Sequence, residues 1–538
     1  MHTFTRLFSL LLLLVGLAPA VRASHIQGGT LTYTALGNNQ YRVVLKHYRD
    51  CSGINAPTTT TLDCRNGGTC YSPVGPSATM VRQGATLYGN QYCATLSGIC
   101  TGTGPANYEA NTYEATVTLP PAATWTLSVT DCCRPTTANT TGSNFRFETV
   151  LHNQITVGTT TQTIANTSAV ASNLPAFFIP WKQLSILGNS AFDADGDSLV
   201  YSLVSPLENC GVTSAYAPYP GYSAGGSPTP IGTGCLVTNP WKPAAYSATL
   251  PIDVTADTTG ACPVRTTSNP RFQFDPATGG IAVEPARYNA TLPSADGANK
   301  YVVVVQIKEL RRLGGQYVEV GVTRRELFLT VYDCGTNVPP TFARTATVRY
   351  GTGVRTQALN QVIPVLAGEP ISIDLVATDR NTSQAVSLGL DYNATPGAVL
   401  QPTGLGTARL TFTPPQNLPS GIYRVAVTAE DNNCPLKAHE TQTLVFRVTA
   451  VLATRAGRQV ADVVAWPSPF TDVVQFQLLT AGTKTLTVAD ALGRVVATLH
   501  TDATGKGRWQ PAPGLAPGLY LARTADGSAA VRLLYQPE

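Results

Sequence analysis

The sequence predicts an all-β protein made of tandem antiparallel β-sandwich modules, and three observations support this. Charged residues make up 13% of the 538 residues, well below the ~25% of ordinary globular chains. Gly (47) and Pro (39) are abundant and Met occurs only twice, a composition that disfavours helices. Short runs rich in Val, Leu and Thr recur between Gly and Pro turn signals, as strands do in sandwiches.

The first residues carry an export signal. Arg6 precedes an apolar run from Leu7 to Leu17, and small residues follow up to Ala23. This order is that of a secretory signal peptide, which we place at residues 1–23. The apolar run is shorter than the ~18 residues that a membrane span needs. We therefore expect an exported chain without a transmembrane span.

The net charge argues against two classes of partner. It is +4 for the whole chain and +2 once Arg6 and Arg22 leave with the signal peptide. A chain so close to neutral has no electrostatic reason to bind nucleic acid or an anionic membrane. We expect neither partner.

The cysteines predict disulfides, because an even number of them follows the signal peptide of an exported chain. The pairing stays open, since spacing alone does not determine it. For the adjacent Cys132 and Cys133 we expect two separate structural bridges, with a redox-active pair as the alternative. The 12 candidates are Cys51, Cys64, Cys70, Cys93, Cys100, Cys132, Cys133, Cys210, Cys235, Cys262, Cys334 and Cys434.

The pattern divides the exported chain into modules. Residues 24–166 form a Cys-rich β domain that opens with a hairpin, because two alternating runs flank the turn Gly37-Asn38-Asn39. Residues 167–335 and 336–450 repeat the same order of an acidic turn, a Phe block, a Tyr-led strand and a closing strand. A polar linker at residues 451–462 leads to a last module at residues 463–538.

The second module holds a candidate metal site. Asp193, Asp195 and Asp197 alternate in a turn that Gly196 can bend, and Ca²⁺ collects oxygen ligands in this way. Position twelve from Asp193 is Val204 rather than Glu, so the turn is not an EF-hand. Alternatively the three carboxylates cap the turn through bonds to its backbone. Ca²⁺ is the only cofactor that the sequence suggests.

The last module resembles the C-terminal sorting domain, type A, of proteins exported by the type IX secretion system of Bacteroidota. The resemblance rests on Pro467, Pro469 and Phe470 at the entry, on Gly493 within Asp490-Ala491-Leu492-Gly493-Arg494, and on Gly518 and Tyr520 within Leu515-Ala516-Pro517-Gly518-Leu519-Tyr520. It implies delivery across the outer membrane by the type IX secretion machinery, to the cell surface or the medium.

Other parts of the chain resemble Bacteroidota surface proteins. The opening Ser24-His25-Ile26-Gln27-Gly28-Gly29 and the block Asp131-Cys132-Cys133-Arg134 are similar to the N-terminal regions of large secreted members. The two repeats resemble the cadherin-like and immunoglobulin-like repeats of such proteins. The repeats' resemblance implies β-sandwiches, and the N-terminal resemblance does not imply any particular enzyme activity.

Together these features predict a non-catalytic, adhesin-like surface or secreted protein that binds an extracellular glycan or protein. Two alternatives stay open. One is a structural component of a surface matrix or motility apparatus. The other is an enzyme with an unrecognised site in the Cys-rich first module.

Overall fold

The computed structural model describes residues 26–50, 55–88, 91, 93, 108–172, 178–222, 229–230, 234–238, 242–291, 297–351, 353–390, 395–450, 463–478, 482–490, 493–525 and 530–537. The predicted signal peptide, the linker at 451–462, Cys51 and Cys100 lie outside these residues. No helix in the described part of the chain has the length and hydropathy to cross a membrane.

Strands make up nearly all of the regular structure, as the Val- and Thr-rich pattern predicts. The first module contains β1 (Ile26–Gly37), β2 (Gln40–Asp50), β3 (Thr59–Asn66), β4 (Val74–Tyr88), β5 (Tyr108–Thr118), β6 (Trp125–Cys132), β7 (Asn144–Leu151), β8 (Gln154–Val157) and β9 (Thr160–Thr163).

Within its described residues, the second module adds fifteen strands and a 3₁₀ turn at Gly297–Asn299. The strands are β10 (Val170–Ala171), β11 (Phe178–Pro180), β12 (Ser185–Leu187), β13 (Ala191–Phe192), β14 (Ser198–Leu203), β15 (Leu207–Asn209), β16 (Val212–Thr213), β17 (Thr229–Pro230), β18 (Leu236–Thr238), β19 (Ala256–Thr259), β20 (Val264–Pro270), β21 (Phe272–Phe274), β22 (Ile281–Val283), β23 (Lys300–Leu313) and β24 (Gln316–Tyr332).

The third module and the C-terminal module complete the set of described strands. The third contains β25 (Thr341–Phe342), β26 (Thr345–Tyr350), β27 (Gly353–Ala358), β28 (Ile363–Leu366), β29 (Ile371–Thr378), β30 (Ser387–Leu390), β31 (Ala398–Gly404), β32 (Thr407–Phe412), β33 (Gly421–Glu430) and β34 (His439–Thr449). The C-terminal module contains β35 (Val463–Trp466), β36 (Val474–Leu478), β37 (Thr485–Ala489), β38 (Val495–His500), β39 (Lys506–Trp509), β40 (Gly518–Thr524) and β41 (Ala530–Tyr535).

The all-β prediction is confirmed, and so is the opening hairpin. β1 pairs with β2 in antiparallel register from Thr30–Lys46 to Gly37–Gln40. The turn between them is Asn38-Asn39, whose φ angles of 50° and 60° are left-handed. Asn tolerates this region better than most residues, and such turns match the twist of the flanking strands.

One large sheet crosses the predicted boundary between residues 166 and 167. Its order is β1-β2-β5-β4-β3-β6-β7-β24-β23-β14. Both end strands of the first seven, β1 and β7, pair with the same long strand β24. The seven strands therefore curve back on themselves and enclose one core, in which Tyr113 and Trp125 pack with Phe328 of β24. The first two modules are thus joined through a shared sheet.

The two glycines of the opening block have a packing reason. A Cβ on Gly28, whose φ is +118°, would lie 2.2 Å from the carbonyl oxygen of Glu326. A Cβ on Gly29 would lie 2.4 Å from the carbonyl oxygen of Lys46 and 2.5 Å from the ring of Phe147. Any larger residue would push β1 away from β24 and β2.

The third module is a sandwich of two sheets. One has the order β27-β26-β29-β32-β31, and the other has the order β28-β34-β33-β30. Alternate residues of each sheet point inward and form one core, with Phe412 packed on Phe446 at a ring-centre distance of 4.6 Å. This is the face-to-face packing of antiparallel sandwiches.

The chain divides into two compact units, residues 1–451 and 452–538. The second unit has the sheets β35-β36-β39 and β38-β37-β40-β41. Phe470 is buried at the centre of its core, with ring centres 5.6 Å from Trp509 and 5.2 Å from Tyr535.

Two of the disulfides connect parts of the first unit that are more than a hundred residues apart in sequence. Four bonds are present among the described residues: Cys70–Cys210, Cys93–Cys434, Cys132–Cys133 and Cys235–Cys262. Within the same residues Cys64 and Cys334 are free thiols.

The expectation of separate bridges for Cys132 and Cys133 is wrong. The two residues are bonded to each other. β6 ends at Cys132, so the alternation that turns neighbouring side chains to opposite faces of a strand ends there, and the two sulfur atoms can meet.

Candidate functional site

The acidic turn lies between the short strand β13 and β14, and its own side chains hold its shape. Asp193 Oδ1 accepts hydrogen bonds from the backbone N–H groups of Asp195 at 3.0 Å and Asp197 at 2.9 Å. Gly196 is left-handed with φ +79°, which closes the turn at no steric cost. These are the side-chain to backbone bonds of the turn alternative.

A cation from another strand fills the space between the carboxylates. Arg311 of β23 donates from Nη2 to Asp195 Oδ2 at 2.8 Å, and from Nε and Nη2 to the two oxygens of Asp197 at 2.7 Å. It also bonds Asn166 Oδ1 and the carbonyl oxygen of Ala165, both at 2.7 Å. Burial by itself would lower the pKa of Arg311, but Asp197 and Asp195 outweigh it and raise that pKa.

A fourth carboxyl group, that of Glu309 on β23, belongs to the same cluster. One oxygen each of Asp193, Asp197 and Glu309 lie within 4.8 Å of one another, and all three residues are buried. Glu309 accepts hydrogen bonds from Asn166 at 2.7 Å and from the N–H of Ala169 at 2.8 Å. Glu309 is 143 and 140 residues from these two donors, so the sequence contained no local signal that could have identified it.

Burial raises the pKa values of the two innermost acids. The pKa of Glu309 rises to about 8 through burial, with the charge of Asp193 adding to the effect. The pKa of Asp193 rises to about 7 through burial and the neighbouring Asp197. Asp195 and Asp197 pair with Arg311, so one cation serves two carboxylates in the outer part of the cluster.

Two arginines of the first module form buried ion pairs. Arg134, from the Asp-Cys-Cys-Arg block, binds Glu326 of β24 at 2.7 Å, and its guanidinium lies 5.0 Å from the ring centre of Phe145. Arg49 pairs with Glu109 across β2 and β5. The first pair ties the segment after β6 to β24 and the second ties β2 to β5, so both have a structural role.

A concave cavity lies at one end of the third-module sandwich. Its volume is about 700 Å³, within the range of ~300–1,000 Å³ that is usual for small-ligand sites. The edge strands β27 and β28 form its walls. The lining includes Tyr350, Val354, Arg355, Pro364, Leu366, Glu369, Pro370 and Thr449.

Apolar side chains are open to solvent in this cavity. Val354 is 61% exposed and Leu366 is 42% exposed. The guanidinium of Arg355 lies 4.6 Å from the ring centre of Tyr350 and donates to its hydroxyl oxygen. Among the described residues, neither Arg355 nor Glu369 has an oppositely charged partner within ion-pair distance. The cavity therefore combines apolar walls with one unpaired base and one unpaired acid.

The residues that carry the sorting-domain resemblance have identifiable places in the C-terminal unit. Pro467 and Pro469 lie in the segment that follows β35, directly before the buried Phe470. Gly493 is left-handed, with φ +80°, and donates to the carbonyl of Asp490 at 2.9 Å. Gly518 begins β40.

Tyr520 forms a turn-locking bond that recurs in the third module. Its hydroxyl donates to the carbonyl of Ala516 at 2.6 Å, and Tyr423 bonds the carbonyl of Pro419 in the same way at 2.8 Å. Both bonds span four residues, as in the tyrosine corner of immunoglobulin-type sandwiches. The Leu-x-Pro-Gly-x-Tyr pattern at residues 515–520 thus has a structural role in the sandwich.

Comparisons with known proteins identify no family. No protein-family model matches the chain, and no curated protein matches it. Murine CEACAM1b matches at 8% identity over 52% of this chain and 100% of its own, with a TM-score of 0.13. Drosophila N-cadherin EC1-3 matches at 15% identity over 50% of this chain and 87% of its own, with a TM-score of 0.15.

A bacterial structure covers more of the chain. A SusE-like, surface-located polysaccharide-binding protein from the heparin utilisation locus of Bacteroides thetaiotaomicron matches at 11% identity over 95% of this chain and 82% of its own, with a TM-score of 0.17. TM-scores this low carry no argument about function. The functional proposal therefore rests on the chain itself.

Proposed function

We propose that this is an exported, non-catalytic binding protein that a C-terminal sorting domain delivers to the cell surface or the medium. Its ligand is a glycan, bound in the third-module cavity. The cavity carries the proposal, because it is concave, partly apolar and lined by two charged groups that have no oppositely charged partner within the described residues.

The chemistry of the lining favours a neutral, hydroxyl-rich ligand. Sugar rings have apolar C–H faces, which suit Val354, Leu366 and the tyrosine side chain beside them. Their hydroxyl groups both donate and accept hydrogen bonds, so one ligand can satisfy the acceptor Glu369 and the donor Arg355. A strongly anionic ligand would be repelled by the carboxylate of Glu369. An apolar ligand would offer neither charged group a hydrogen bond.

Two observations support export. The Cys70–Cys210 and Cys93–Cys434 bonds have Cα–Cα distances of 5.6 and 5.0 Å, within the usual range of ~4.4–6.8 Å for disulfides. Such bonds persist outside the reducing cytosol. The residues that resemble a sorting domain also lie in a unit with its own core.

The binding proposal can be tested with the purified full chain on an array of neutral oligosaccharides (glucan, xylan, mannan and galactan hexamers), with heparin as the acidic comparison. We expect binding to at least one neutral hexamer. Arg355→Ala and Glu369→Ala should each weaken it about 10-fold to 100-fold, because each removes a charged hydrogen-bonding group.

Arg312→Ala is the matched control, since Arg312 is exposed on the second module and lines no part of the cavity. It should bind like the unmodified chain. Absence of binding to every neutral hexamer, or equal binding by all the variants, would reject the cavity as a glycan site.

The export proposal has its own test. In a bacterium that carries the type IX machinery, a chain ending at residue 465 should accumulate in the periplasm while the full chain reaches the surface. Cell fractionation and protease accessibility distinguish the two locations. Surface display of the shortened chain would show that residues 466–538 are not the sorting signal.

A further inference from the structure

We propose that Arg311 is the built-in cation of the acidic turn, occupying the position where a divalent cation would otherwise bind. The second module therefore needs no Ca²⁺, and it becomes responsive to Ca²⁺ when the guanidinium is removed.

A shell of oxygen atoms surrounds the guanidinium of Arg311. Five oxygens from four residues lie 2.7–2.8 Å from its nitrogens: the carbonyl of Ala165, Oδ1 of Asn166, Oδ2 of Asp195 and both carboxylate oxygens of Asp197. Carboxylate, side-chain amide and backbone carbonyl oxygens are the ligand types that Ca²⁺ selects. One side chain has gathered them instead.

A Ca²⁺ ion would have to compete with Arg311 for these oxygens. A Ca²⁺ ion takes 6–8 oxygens at about 2.3–2.6 Å, so it needs several of the atoms that Arg311 holds. Arginine stays charged at any pH a folded protein tolerates, so it repels a second cation. The side chain is 19% exposed and Asp197 is 2% exposed, so solvent screens this repulsion only weakly.

One carboxylate oxygen of the cluster has no hydrogen bond to Arg311. Asp193 is buried, and its Oδ2 has no hydrogen-bond partner among the described residues. One oxygen of Asp193 lies within 4.8 Å of an Asp197 oxygen and a Glu309 oxygen. Without the guanidinium, this carboxyl group and the five released oxygens would form a site of the size and composition that Ca²⁺ needs.

The internal cation has a consequence for the joint with the third module. The turn that Arg311 holds also contacts that module, because a Cβ on Gly196 would lie 2.7 Å from Pro419 Cβ. A chelator can remove a metal from such a joint but cannot remove an arginine. The contact between the two modules should therefore be the same at any Ca²⁺ concentration.

The test measures the melting temperature of the full chain in excess Ca²⁺ and in EGTA, and compares Arg311→Met, which keeps most of the side-chain length and loses the charge. The unmodified chain should melt at the same temperature in both conditions. Arg311→Met should melt lower in EGTA and recover several degrees in Ca²⁺, since a ligand that binds only the folded state stabilises it. Titration calorimetry with CaCl₂ should show heat of binding for this variant alone.

Two further variants complete the design. Arg312→Met removes the exposed neighbouring arginine and should not respond to Ca²⁺. Arg311→Lys keeps a cation and should likewise be indifferent, which provides a folded comparison if Arg311→Met does not fold. The proposal is overturned if Ca²⁺ raises the melting temperature of the unmodified chain and Asp195→Ala abolishes that rise, or if a folded Arg311→Met chain does not bind Ca²⁺.

Discussion

At the scale of single residues, the interior of the first module contains a histidine that does not take up a proton easily. His47 is buried, and neither ring nitrogen has a hydrogen-bond partner in the described part of the chain. Its ring packs edge-on against Phe147 at 6.0 Å and Tyr113 at 6.3 Å between centres. Burial lowers the pKa of His47 to about 4, and the charge of Arg49 adds to this while Glu109 opposes it.

We predict that His47 makes the fold sensitive to mild acid. The unfolded chain binds a proton at His47 below pH ~6.5, whereas the folded chain does so only near pH 4. The free energy of unfolding therefore decreases as the pH falls from 6.5 to 4, by on the order of 3 kcal/mol at most. His47→Phe should remove this part of the slope, as measured by urea unfolding across that pH range.

Measurements at pH 8 provide the control for this prediction. The ring is neutral there in both states, so any difference between the two proteins reports packing alone. If the two stability curves run parallel from pH 6.5 to 4, His47 does not control the acid response.

At the scale of elements, the acidic turn is shaped to fit the third module. Gly196 faces the loop before β33, and the ring of Phe192 lies 5.9 Å from that of Tyr423. Arg424 of β33 donates to the carbonyl of Ala277 at 2.8 Å, and its guanidinium lies 5.1 Å from the ring centre of Tyr201. A turn of the second module thus packs directly on a strand of the third.

Gly196→Ala should weaken this contact. Ala would have to keep the left-handed backbone of Gly196, at a cost of about 1–2 kcal/mol. Its Cβ would lie 2.7 Å from Pro419 Cβ and 3.1 Å from the Tyr423 hydroxyl oxygen. Overpacking typically adds about 1–3 kcal/mol. We expect a total loss of roughly 2–5 kcal/mol in chemical unfolding of the full chain.

Gly335→Ala separates the two causes. Gly335 is also left-handed, with φ +61°, but a Cβ there would meet nothing within 4 Å, so only the backbone cost applies. Equal losses for the two variants would mean that the turn does not press against the third module.

At the scale of the whole molecule, disulfides join distant segments of the first unit. Cys93–Cys434 closes a separation of 341 residues and lies beside two backbone bonds, from Cys93 N–H to the Pro435 carbonyl at 3.0 Å and from Lys437 N–H to the Gln91 carbonyl at 2.9 Å. A segment of the first module is therefore attached to the third module.

Removal of Cys93–Cys434 by two Cys→Ser changes should destabilise the first unit by roughly 2–5 kcal/mol. The matched control is the Cys235–Cys262 bond, which closes a separation of only 27 residues. In the chain-entropy model of disulfides, closing the longer loop adds about 2 kcal/mol more to the free energy of unfolding than closing the shorter one. Thermal unfolding of the two double variants gives the comparison.

Peptide mapping without reduction tests the pairing itself. It should recover peptides that join Cys70 to Cys210 and Cys93 to Cys434. Recovery of Cys93 joined to another cysteine would contradict this account of how the modules are held together.

Features that depend on neighbouring residues could be predicted from the sequence. The strands, the Asn38-Asn39 turn and the acidic turn follow from local alternation and turn chemistry. The four-residue tyrosine bonds at Tyr423 and Tyr520 are equally local. The residues that resemble a sorting domain could be located because each block of the pattern is contiguous, although their delivery role stays a prediction.

The tertiary structure alone decided which distant residues meet. Spacing does not reveal that Arg311 would bind Asp195 and Asp197 across more than a hundred residues, that β1 and β7 would both pair with β24, or that Cys93 would bond Cys434. Strand order and side-chain pairing depend on how whole sheets pack, and many packings share one hydrophobic pattern. The sequence by itself therefore determined the class of structure and the candidate acidic turn, whereas the packing of the sheets determined which cation occupies that turn.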